Sequence, residues 1–273
     1  MNIPLAAEPV FSLAGIHITN TLVMAVIVLG LFTAFAIKIQ LGLQKVPGRF
    51  QVGVEMLFEA LLGFFDRVTN NRAASRRFLP LVGTLFLFIL VSNWLGLFPG
   101  MGTIGIWAMH EGHLELIPIF RAPTSDLNTT VALALTSVLA SHVFGMVTLG
   151  FFVHWNKFIQ LGTIWKALKT LNPIKILTAL VEFMVGIIEI FSEIAKVLSL
   201  ALRLFGNVFA GEVLLTVISG LVAFLVPLPF MGLELLVGLV QATVFSLLVL
   251  VYLTVATQAP HGSGEEHAPA HAH

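Results

Sequence analysis

Arginine 203 stands in a stretch that otherwise reads as lipid-facing hydrocarbon, LSLALRLFGNVFAGE (198–212). A guanidinium at the centre of a membrane helix costs about 2.5–3.5 kcal/mol on insertion scales. Apolar or small residues run for several turns on either side, so it cannot snorkel to water. Such a cation either serves the chemistry of transport or is held as structure by a neighbouring carboxylate. Counting back in sevens meets Lys196, Glu189 and Glu182. Seven residues return to within about 20° of the same helical face, so the four ionisable groups form one drifting stripe about 30 Å long. Counting forward meets Ala210 and Val217, and the stripe ends at Arg203. Glu212, nine residues further on, is nearly opposite in helical phase. A carboxylate past the cation and on another face suggests a second polar route. Two offset routes beside one cation suit an ion that is moved in two half-steps.

A second pair lies downstream. Glu234 and Gln241 are seven apart and share a face of the last apolar segment. Arg203 and Gln241 have their sequence midpoint at 222, and Glu212 and Glu234 have theirs at 223. One antiparallel hairpin turning there predicts an Arg203–Gln241 neighbourhood and, about two turns further out, a Glu212–Glu234 neighbourhood. Two carboxylates that close in a poorly solvated site cannot both stay ionised cheaply, so they are expected to share a proton. The competing reading, that Glu212 counters Arg203, meets the objection of opposite phase.

The elements that must position these groups follow from hydropathy. The 273 residues are 58% hydrophobic and 10% charged, with a mean hydropathy of +0.99, which excludes an ordinary soluble domain. The reading is an all-α membrane protein, a single polytopic domain over 1–258. About five transmembrane helices are predicted at 17–39, 78–98, 127–154, 173–226 and 231–257. The fourth is too long for one upright crossing and must tilt or bend; with the fifth it makes a hairpin over about 173–257. Between the first two, 49–69 has helical apolar spacing with Glu55, Glu59 and Asp66 elsewhere, as in an amphipathic helix at the interface. Pro227 and Pro229 mark the break before the last helix. The tail, 259–273, is polar and His-rich and is expected to be disordered.

Loops one and three hold seven and four Lys/Arg, the second loop holds Arg121 alone, and the final connection has none. This bias puts the N-terminus outside and the C-terminus in the cytoplasm. There is no internal repeat. Net charge is zero, giving no case for nucleic-acid binding. No cysteine is present, and no G-x-x-x-x-G-K-[ST] segment, so any ATP chemistry belongs elsewhere. The first 16 residues carry no Lys or Arg, and no cleaved targeting segment is expected. His110 and His113 read as surface histidines rather than metal ligands, the tail histidines as adventitious metal binders, and His142 as facing either a helix neighbour or the channel.

The run from Ser199 to Glu212 (Ser199, Leu200, Leu202, Arg203, Leu204, Phe205, Gly206, Asn207, Ala210, Gly211, Glu212) resembles the signature of subunit a of the rotary F-type ATP synthases. The resemblance continues through Gln241 and through PTSDLN (123–128), and spans about 16–258. It implies the stator of the membrane motor, without a cofactor, resident metal or catalysis of its own. Its partners would be the c-subunit ring, the peripheral-stalk b subunits, the lipid bilayer and, indirectly, the catalytic headpiece, in a bacterial plasma (inner) membrane. Arg203 would face the ring carboxylate and separate the half-channels. Glu212, Glu234, Asn207, Gln241, Asp126, Asn128 and Asn93 would line the outer path, and Glu189, Glu193, Ser199 and Lys196 the inner one. Some members carry histidine at one of the two Glu positions. Asp126 and Asn128 read equally well as helix N-cap residues. Gly96 stands where some members have an acid, which weakens the contribution of the second span. The alternatives are a sodium-translocating version of the same motor and an independent transporter, which usually needs inverted repeats.

Overall fold

The computed structural model describes residues 7–13, 16–98, 100, 101, 104–110, 113–155, 173–222 and 225–258. Within them the α-helices are α1 (Asn20–Gly42), α2 (Arg49–Thr69), α3 (Arg72–Gly96), α4 (Leu127–Leu149), α5 (Phe151–Trp155), α6 (Pro173–Leu221) and α7 (Pro227–Thr257). Four of these, α1, α3, α4 and α7, are long and apolar enough to cross a membrane. The 49 residues of α6 would extend about 73 Å, more than twice a hydrocarbon core. The expected basic residues Lys157, Lys166 and Lys169 and the tail lie outside the described residues, as does the side chain of Lys175.

The core is made by α3, α4, α6 and α7. Phe78, Val82, Leu85 and Ile89 of α3 meet Ala134 and Val138 of α4, Leu200, Ala201 and Leu204 of α6, and Phe245, Val249, Leu250 and Leu253 of α7. The three to four residue spacing within each set gives every helix one packed stripe. The outer faces stay apolar: Val26, Leu29, Leu139, Val143, Leu202 and Val251 are exposed. Such a surface is at ease only in lipid. Helix α1 is the most peripheral, burying Met24 and Val28 but few other side chains.

Several boundaries differ from expectation for identifiable reasons. The first helix begins at Asn20, not His17, because Thr19 caps it by accepting from the Leu22 amide. The second crossing helix starts at Arg72, where the Asn71 side chain accepts from the Ala73 and Ala74 amides. The third stops at Leu149, because Gly150 takes φ 89° and turns the chain into the separate α5. The long helix ends at Leu221, and α7 begins at Pro227, since prolines in a first helical turn forfeit no intrahelical bond.

Two short β-hairpins supplement the helices at one end of the bundle. Pro9–Leu13 (β1) pairs antiparallel with Ile16–Thr19 (β2), and Gly105–His110 (β3) with His113–Pro118 (β4). The two hairpins are stitched together by the start of α1: Asn20 Nδ2 donates to the Pro118 carbonyl at 3.1 Å, and Thr21 Oγ1 to Asp126 Oδ2 at 3.2 Å. At the other end α2 folds onto α3 through Arg72, which pairs with Glu59 and, at 2.6 Å, with Asp66.

Candidate ion-translocating site

Arg203 projects from α6 off the packed stripe of Leu200, Ala201 and Leu204, and its side chain is exposed. Its guanidinium donates to Ser199 Oγ, one turn back, at 3.2 Å. Among the described residues no carboxylate pairs with it. The reading of Arg203 as a structural cation held by a neighbouring acid therefore has no support in the geometry. Ser199 is the expected inner-path residue nearest to it.

On the side of Arg203 toward the β-hairpins, α6 meets α7 through polar contacts. Asn207 Nδ2 donates to Gln241 Oε1 at 2.6 Å. The amide partner of Gln241 is thus Asn207, one turn along from Arg203, and the Arg203–Gln241 neighbourhood is displaced by that turn. Gln241 is buried, and its Nε2 finds no hydrogen-bond partner among the described residues. One turn further, Glu234 lies directly against Gly211: a Cβ at that position would overlap its carboxylate. The glycine before Glu212 is therefore the slot into which the α7 acid fits.

Glu212 itself pairs with Arg121, to which the sequence reading assigned no site role. Arg121 Nε donates to Glu212 Oε1 at 2.9 Å and to Oε2 at 3.1 Å, and Nη2 donates to Oε2 at 3.1 Å. The arginine is 4% exposed and the glutamate 31%. The expected pairing of Glu212 with Glu234 is replaced by a Glu212–Arg121 ion pair that leaves Glu234 as a separate carboxylate. The physical reason is charge: a buried guanidinium needs an anion, and bidentate carboxylate geometry supplies it. The signal was available, because Arg121 is the sole cation of its connection and stands five residues before Asp126.

The remaining outer residues divide. Asn93 is buried, donates weakly to the Gly238 carbonyl at 3.4 Å and accepts from Thr124 Oγ1, so it ties α3 to α7 and to the turn before α4. Asp126 caps α4 by accepting from the Asn128 amide at 3.0 Å, while its other oxygen accepts from Thr21. Both oxygens are thus engaged in joining elements. Asn128 is exposed on the first turn of α4, apart from the cluster. A Cβ at Gly96 would stand 2.6 Å from Ala122 Cβ, so an acid there would displace the segment that delivers Arg121.

On the other side of Arg203, Lys196 Nζ pairs with Glu193 Oε1 at 2.5 Å, and the same ammonium lies 5.2 Å from the centre of the Tyr252 ring. Glu193 Oε2 also lies 3.4 Å from His142 Nε2. Glu189 and Glu182 are half-buried on the same helix. His142 therefore faces both a helix neighbour and the inner polar group. Among the described residues no cluster of His, Cys, Asp and Glu has the makings of a metal site.

A bundle of apolar helices with an unpaired guanidinium on its outer face, and polar groups inside on either side of it, defines an ion-translocating subunit of a membrane machine. The chain matches the ATP synthase A chain family over residues 18–254. It is 35% identical over 248 residues to ATP synthase subunit a of Syntrophobacter fumaroxidans, covering 90% of this chain and 85% of that one. The subunit of Moorella thermoacetica is 33% identical over 89% of this chain and 93% of its own. That of Desulfotalea psychrophila is 36% identical over 82% and 79%. The chain belongs to the ATP synthase subunit a family, whose members are the proton-translocating stator of the membrane sector. It is a multi-pass membrane protein and is not catalytic by itself, ATP chemistry residing in the headpiece.

Proposed function

We propose that Arg203 faces a passing carboxylate on a ring of c subunits and keeps two proton half-channels apart. The observation that carries this reading is the exposed guanidinium without a carboxylate partner among the described residues, while Arg121 and Lys196 on either side of it are both paired. A protonated ring acid arriving beside a fixed cation must give up its proton. An ionised one finds a transient counter-charge there, which lowers its cost in low dielectric.

In this reading the outer half-channel runs past Glu234, with Gln241 and Asn207 between it and Arg203. Glu234 carries the proton, since Glu212 is neutralised by Arg121. Asn93 shapes the wall, Asp126 holds it in place, and Asn128 stands at its edge. The inner half-channel runs by Ser199, Lys196, Glu193 and Glu189. The basic loops support an N-terminus outside and a C-terminus in the cytoplasm of a bacterial plasma membrane, with stalk b subunits holding the chain against the ring. The membrane supplies about 2.3 kcal/mol per charge per 100 mV.

The test is passive proton conduction in membranes stripped of the headpiece. Glu234→Gln is expected to collapse conduction in an assembled complex, and Glu234→His to retain part of it, because imidazole titrates near neutrality. Wild-type conduction in the Gln variant would remove Glu234 from the path.

A further inference from the structure

Helix α5 is five residues long, yet it buries a histidine against the inner polar group. Gly150, at φ 89°, folds the chain back so that His154 lies against α4. There it occupies a notch made by Gly145: a Cβ on that residue would stand 2.6 Å from both Cε1 and Nδ1 of the imidazole. His154 is 3% exposed. Its Nε2 lies 3.2 Å from His142 Nδ1, and the two rings meet edge to face with centroids 5.4 Å apart. His142 Nε2 in turn lies 3.4 Å from Glu193 Oε2. Lys196 holds the other oxygen of Glu193 and rests near Tyr252 of α7, so the charged group is fixed from two helices.

We propose that His142 and His154 extend the inner proton route from Glu193 to the end of the bundle that carries the basic third loop. This rests on the assignment of Glu193 to the inner half-channel. The contacts Glu193 Oε2, His142 Nε2, His142 Nδ1 and His154 Nε2 form an unbroken series. Imidazole suits it, because one ring nitrogen can accept while the other releases. A proton leaving Glu193 is taken at His142 Nε2 as the proton on Nδ1 passes to His154 Nε2. His154 then releases a proton from Nδ1, which is buried at the Gly145 notch, to water entering from that end of the bundle. Exchange of the tautomers restores both rings. The glycine notch and the turn at Gly150 seat the second ring within reach of the first. Packing α5 against α4 would require only an apolar residue at 154.

The experiment uses inverted vesicles holding the full complex with the headpiece stripped, and compares His142→Gln, His154→Gln and Glu193→Gln. Each is expected to assemble and to conduct protons severalfold more slowly than the parent. Imidazole added on the exposed cytoplasmic face is expected to restore much of the loss in the two histidine variants. Loss without recovery would overturn the relay in favour of a purely structural pair. Parental conduction in both histidine variants, with Glu193→Gln blocked, would overturn the relay and leave the inner half-channel standing. Parental conduction in all three would overturn both. Should His142→Gln fail to assemble, His154→Gln and Gly145→Ala carry the same test. The added methyl displaces the ring without altering an ionisable group, and its slow conduction is expected to recover with imidazole.

Discussion

Removing one partner of the Arg121–Glu212 pair should hurt unequally, because the two ends are buried to different depths. Glu212→Gln leaves a guanidinium that is 4% exposed and cannot deprotonate, a loss of about 3–5 kcal/mol for breaking a buried pair. Arg121→Gln leaves a carboxylate that is 31% exposed. It can reach water or bind a proton, so about 1–3 kcal/mol is lost, the cost of an unmet polar group. With both replaced, no charge is left stranded, and the double variant should be milder than Glu212→Gln alone. A coupling of about 3 kcal/mol, above the Arg121→Gln loss, is expected for groups in direct contact, which is about a hundred-fold in an equilibrium at 1.4 kcal/mol per decade. The assay is the fraction of the chain that resists protease in the detergent-purified complex as temperature rises, over the full double-mutant cycle. Additive losses, with the double variant the most labile of the three, would refute the pairing and return Glu212 to Glu234.

Gly211→Ala should lower proton conduction severalfold without changing any ionisable group, since its methyl would overlap the Glu234 carboxylate; headpiece-stripped vesicles report it. Ser75 and the Arg72 guanidinium hold the Asp66 carboxyl below its ordinary range. A depressed folded value means that this acid stabilises the α2–α3 elbow above the unfolded pKa of about 3.9 and loses that effect as pH falls through the folded value. Protease cleavage at the Asn70–Asn71 turn should therefore rise below about pH 4, and Asp66→Asn should remove the acid dependence. Tags placed in 155–172 or at the C-terminus should be reached only from the cytoplasm, and tags in 105–118 only from outside. Any exchange of these outcomes would overturn the orientation.

Much of the architecture was legible because lipid imposes a simple rule on sequence. Apolar runs of membrane length announced the crossing helices, and the unbroken pattern after Pro173 announced an over-long one. The hairpin of α6 and α7 was legible from Arg203, Glu212, Glu234 and Gln241, but not its register. Helical phase fixes which residues share a face, while the choice of neighbour within a turn depends on side-chain size and charge. Gly211 admits Glu234, and Asn207 lies level with Gln241 and bonds it. The two β-hairpins were not legible, since hydropathy is silent about strands outside the apolar core. Arg121 was missed because a loop cation counts toward orientation, and its burial depends on the tight packing of Ala122 on Gly96. His154 needed a turn at Gly150 to reach His142, and that contact exists only in three dimensions.

The proposed role of Arg203, keeping two proton routes apart with its guanidinium, is tested most directly by Arg203→Ala. ATP-driven proton pumping and proton-driven ATP synthesis are measured in vesicles holding the assembled variant complex, with Arg203→Lys alongside. Both couplings should be lost in the alanine variant while ATP hydrolysis by the headpiece persists. The lysine variant should fail or nearly so, because an ammonium in low dielectric surrenders its proton where guanidinium does not. Near-normal coupled synthesis in Arg203→Ala would contradict the account.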